Sequence, residues 1–146
     1  MKYLSPYRIA AVLLVLFCAG HTVGGMFSHQ GLGPQADAVF SSMKTVHFTF
    51  NGSSCTWYGF WFGFGLTVSL FLLFSAVTAW QLDKVRAESW PAVSAVAWAL
   101  VVSHAGNAVL SWTYFFAGPG ILATLVTILL GAGAWRKQSQ LARAHP

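Results

Sequence analysis

Apolar residues run through this chain in four long blocks, separated by short polar stretches. At 1.5 Å per residue, about 20 predominantly apolar residues carry a helix across the hydrocarbon core of a bilayer. The first block, 7–27, contains the run Ile-Ala-Ala-Val-Leu-Leu-Val-Leu-Phe-Cys-Ala-Gly, and the second, 57–80, holds no charged residue. A charged segment, Gln-Leu-Asp-Lys-Val-Arg-Ala-Glu-Ser, follows it. The third block, 91–112, opens at Pro91, a residue suited to a first helical turn. The segment Thr-Tyr-Phe-Phe-Ala-Gly-Pro-Gly makes a tight connection into the fourth block, whose apolar run is Ile121 to Trp135 and whose span is taken as 115–135. The pattern predicts an all-α fold: a four-helix transmembrane bundle forming a single integral membrane domain over 1–146.

The longest polar stretch, 28–56, lies between the first two blocks. Within it Val39, Phe40, Met43, Val46 and Phe50 recur at helical spacing, with Asp37, Ser41, Lys44 and Thr45 on the other side. This predicts a short amphipathic outer-loop helix, lying on the membrane surface or capping the bundle. Asn51-Gly52 is expected to terminate it.

Composition supports the membrane reading. Hydrophobic residues make up 56% and charged residues 8% of the chain, where a soluble domain carries about 25% charged residues. So few charges cannot cover a water-facing surface. The net charge of +5 does not point to nucleic acid, because the basic residues sit at block ends: Lys2 and Arg8, Lys84 and Arg86, Arg136, Lys137 and Arg143. That is the pattern of membrane orientation. Only Lys44 falls between the first two blocks, so both termini are expected on the cytoplasmic side of a bacterial inner (plasma) membrane. Trp57, Tyr58, Trp61, Trp80, Trp90, Trp112, Tyr114 and Trp135 fall near block ends, as an aromatic belt requires. A cleaved leader ending near Cys18-Ala19-Gly20 is the competing reading, opposed by apolar character that continues to Phe27.

Helices in lipid approach closely through small residues. Gly20 and Gly24 in the first block, and Gly59 and Gly63 in the second, share GxxxG spacing and are candidate packing positions. Ala95, Ala99, Ser103, Asn107 and Ser111 form a small or polar stripe in the third, and Ala123, Thr127 and Gly131 one in the fourth. Cys18 and Cys55 form no CxxC motif, which gives redox or zinc chemistry no support.

Ionisable residues inside a membrane are costly and are functional candidates. Away from the block ends these are His21 and His104, roughly 21 and 20 Å from the cytoplasmic ends of their helices. Thr22 and Asn107 are their polar neighbours, and Gly63, Gly65 and Gly118–Gly120 are expected to leave room between them. The leading reading is an outer-leaflet polar cavity for a lipophilic ligand such as a lipid, quinone or isoprenoid, lined by His21, Thr22, His104 and Asn107. One alternative makes the two histidines axial ligands of haem b, or parts of a quinone-linked membrane oxidoreductase. Another is a structural or accessory subunit whose glycine faces bind a membrane-protein partner or a second copy. The histidine hydrogen-bonding a neighbouring helix is the bland reading of each. His29, His47 and Asp37 lack metal-ligand spacing, so no metal site is expected, and His145 lies in the tail. No GxSxG, HExxH or phosphate-binding glycine loop is present, so no catalytic residue is named.

At His21-Thr22-Val23-Gly24, at Trp57-Tyr58-Gly59-Phe60-Trp61-Phe62-Gly63-Phe64-Gly65-Leu66 and at Trp80-Gln81 the chain resembles a group of small bacterial four-span inner-membrane proteins. The resemblance covers most of the chain and implies a four-helix inner-membrane protein. It carries no activity onto these positions.

Overall fold

The computed structural model describes residues 4–28 and 31–144, so Lys2, His29 and His145 lie outside the described residues. Four helices are long and apolar enough to cross a membrane: Pro6–Phe27, Trp57–Lys84, Ala87–Tyr114 and Ala117–Arg143. Each expected block lies almost wholly within one of them. Lipid imposes this correspondence, because a spanning segment must satisfy its own backbone N–H and C=O groups.

In chain order the elements are α1 (Pro6–Ala19), a π-helical continuation (Gly20–Phe27), α2 (Pro34–Thr45), β1 (His47–Phe50), β2 (Ser53–Thr56), α3 (Trp57–Lys84), a 3₁₀ turn (Ala87–Ser89), α4 (Trp90–Tyr114) and α5 (Ala117–Ala144). Pro34 and Pro91 stand in the first turns of α2 and α4, where a missing N–H costs nothing. Phe115 leaves the helical region and ends α4. The residues form two compact units, Met1–Phe17 with Leu72–Pro146, and Cys18–Phe71.

In the first unit all four long helices contribute a buried face. α1 buries Tyr7, Ala10, Leu14 and Phe17; α3 buries Leu72, Ser75, Ala79 and Leu82; α5 buries Ala123, Val126, Leu130 and Ala134. α4 buries Trp90, Ala97, Leu100, His104 and Ser111. The expected α4 stripe is corrected here: Ala95, Ala99 and Ser103 are exposed, and only Asn107 and Ser111 turn inward. A step of four residues overshoots a full turn by about 40°, so a period-four stripe drifts round the helix. The buried set instead advances by seven, three, four and seven residues, the spacing of a helix-packing seam.

Polar links tie the helix ends of this unit together. Asp83 of α3 accepts from Ser5 Oγ and from Arg8 Nε at 2.6 Å. Lys137 Nζ of α5 donates to the carbonyls of Asp83 and Val85, satisfying acceptors at the end of α3. Trp90, wholly buried, donates from Nε1 to Gln138 Oε1 at 2.8 Å. α1 meets α5 where the Tyr7 ring lies 2.8 Å from the position a Gly133 Cβ would take.

The second unit corrects the outer loop. α2 stops at Thr45, and 47–56 form an antiparallel hairpin pairing His47 with Thr56 and Phe50 with Ser53. Asn51 (φ 50°) and Gly52 (φ 80°) are both left-handed, as a two-residue type I′ turn demands. Asn-Gly here reverses a strand rather than ending a helix. α2 packs against the aromatic opening of α3: Phe40 meets Tyr58 and Trp61 edge-on at 5.6 and 5.4 Å, and Lys44 Nζ lies 4.8 Å from the Tyr58 ring centre.

Candidate functional site

Cys18, His21 and Thr22 of the first span converge on one turn of α3, between Gly65 and Ser69. His21 Nε2 lies 2.9 Å from the Gly65 carbonyl oxygen. A carbonyl only accepts, so Nε2 carries the proton, and in the neutral ring Nδ1 holds a lone pair. Thr22 Oγ1 donates to the Cys18 carbonyl at 2.7 Å, so at the 2.8 Å contact with Ser69 it accepts from Ser69 Oγ. Cys18 Sγ donates to the Ser69 carbonyl at 3.3 Å. Three links thus join the first span to α3, each between groups that lipid cannot solvate.

The π-helical winding explains how one turn of α3 receives so much. Met26 is buried, and its Sδ occupies the position a Gly65 Cβ would take. In an α-helix, residues five apart point about 140° away from each other. A π-helix bonds residue i to i+5 and turns less per residue, which brings His21 and Met26 toward one face, and both reach Gly65. Gly20, Gly24 and Gly25 fall within this segment, and the sequence carries no other cue for it.

Among the described residues, Gly20, Gly24 and Gly63 have no heavy atom within 4 Å of an ideal Cβ, and Gly59 meets Thr56 Oγ1 at 3.3 Å. Among the described residues the close approaches fall instead at Gly65, Gly118, Gly120 and Gly133. Nor do Gly65 and Gly120 hold open space, since Met26 fills the first and the Trp112 ring, at 2.6 Å, the second. Small residues invite packing, but which ones are used depends on helix rotation, which spacing alone leaves open.

His21 and Thr22 belong to one unit, and His104 and Asn107 to the other. His21 is half-buried; beside its Nδ1 stands Gly25, whose Cβ would come only to 3.8 Å. His104 is completely buried in the seam of α4. Asn107, one turn on, keeps Nδ2 buried without a hydrogen-bond partner among the described residues. Axial ligation through His21 Nε2 would break its bond to Gly65. Among the described residues no three metal-ligating side chains gather. His47 Nδ1 bonds the Thr45 carbonyl at 3.0 Å, and Asp37 Oδ1 accepts from the Leu32 amide at 3.1 Å. Sequence reasoning missed Ser69, an ordinary hydroxyl amid apolar neighbours, and Cys18 as a donor.

No protein-family model matches this chain, and neither the curated proteins nor the solved structures yield a significant match.

Proposed function

We propose that this multi-pass membrane protein binds a lipophilic ligand through His21, in the outer leaflet of a bacterial inner membrane with both termini cytoplasmic. The observation that supports this is the fixed imidazole: Nε2 is held by Gly65, and Nδ1 is left beside a glycine within an apolar span. An acceptor so placed selects a donor, so the ligand carries a hydroxyl or N–H on an apolar body, as a quinol, an isoprenoid alcohol or a glyceride does. Thr22, Ser69 and Cys18 hold the supporting turn.

The test is mass spectrometry of the organic extract of detergent-purified protein, with an absorption spectrum taken before and after reduction. A hydroxylated lipophile retained by the protein, and lost in both His21→Ala and Gly25→Leu, is the expected result. Equal retention by both variants, or a wild-type extract with no such compound, removes this reading. A Soret band lost in His21→Ala would replace it with haem. Orientation is tested by reporter fusions, which should be active in the cytoplasm at the C-terminus and outside it when inserted after Gly52.

A further inference from the structure

A groove runs along the first unit between α1 and α3. Its floor is Ala11 and Ala76, both buried; its walls are Val12, Val15, Leu73 and Val77, all about half-exposed. Two alanines facing each other between branched side chains leave a wholly apolar channel of about 340 Å³. It ends at Trp80, where the character changes. The Arg8 guanidinium lies 5.6 Å from the Trp80 ring centre, and Lys84 Nζ 6.0 Å. The one acid there, Asp83, holds Arg8 by Nε, but its side chain is 12% exposed against 44% for Arg8. The cations therefore face outward while the carboxylate is turned in. Arg8 has five N–H donors and commits one to Asp83.

We infer that this groove is a binding site for an anionic phospholipid, with an acyl chain between Val12, Val15, Leu73 and Val77 and the phosphate at Arg8 and Lys84. Any lipid tail fits the apolar channel; the paired cations over Trp80 select the headgroup. Basic groups at the end of a transmembrane helix attract anionic lipid in this way, and the indole suits the headgroup level. The site uses no residue of the His21 cluster, so each proposal stands or falls alone.

The experiment places the full-length chain in nanodiscs of equimolar phosphatidylglycerol and phosphatidylcholine and counts retained lipids by native mass spectrometry. Phosphatidylglycerol adducts are expected to predominate. Lys84→Gln should lower the ratio about fivefold, and Lys84→Gln with Arg8→Gln should bring it near parity. Val77→Phe, on the exposed wall, should reduce retention of both lipids. Asp83→Asn breaks the same ion pair without removing a cation and should keep the preference. Parity in the wild type, a ratio unmoved by the double variant, or full retention in Val77→Phe would each overturn the site. Loss of preference in Asp83→Asn would also overturn it, by tracing the effect to the helix ends rather than the cations.

Discussion

His21 Nε2 stands 2.9 Å from the carbonyl oxygen of Gly65, which fixes the imidazole in one tautomer. Nitrogen NMR of the histidine-labelled protein should therefore show His21 protonated at Nε2 with an unprotonated Nδ1. The opposite tautomer would break the argument for a free acceptor. His21→Ala should cost about 0.6–1.5 kcal/mol in reversible unfolding, the range of interhelical hydrogen bonds in lipid and water.

Met26 and Gly65 are interlocked, because the sulfur lies where any Gly65 side chain must go. Gly65→Ala should destabilise the protein by about 1–3 kcal/mol through overpacking. Adding Met26→Ala should recover part of that loss, so the double variant is less destabilised than the sum of the singles. Strict additivity in a double-mutant cycle would show that the two do not touch.

Gly133→Ala should be harder to relieve. The facing atoms belong to the rigid Tyr7 ring, which is 2% exposed and cannot fold back as a methionine tail can. A loss of about 1–3 kcal/mol is expected, with little rescue from changes elsewhere. Thermal unfolding in detergent measures it, and an unchanged midpoint would contradict the contact.

Trp90 anchors the start of α4. Fully buried and bonded to Gln138, it should cost about 3–5 kcal/mol on replacement by Ala. Trp90→Phe keeps most of the volume and loses the Nε1 bond, so about 1 kcal/mol is expected. Equal effects of the two variants would mean that packing contributes nothing beyond the hydrogen bond.

The sequence by itself determined the four spans, because lipid admits only long self-satisfied helices and their apolar length is written in the residues. It also determined that His21 and His104 would be the candidate ionisable groups away from the ends of those spans. Tertiary structure decided which faces meet. In a soluble helix the apolar stripe marks the core, but here Leu, Val and Ala face lipid and core alike, so contrast is lost. Ala95, Ala99 and Ser103 accordingly misled, and the seam through Ala97, Leu100 and His104 was invisible. Asn51-Gly52 suits both a helix end and a type I′ turn, and strand pairing between His47 and Thr56 chose the turn. The partner of His21 was hidden for a different reason. It depends on π-helical winding in Gly20–Phe27, which places His21 and Met26 together on Gly65 and which no periodicity of the apolar residues announces.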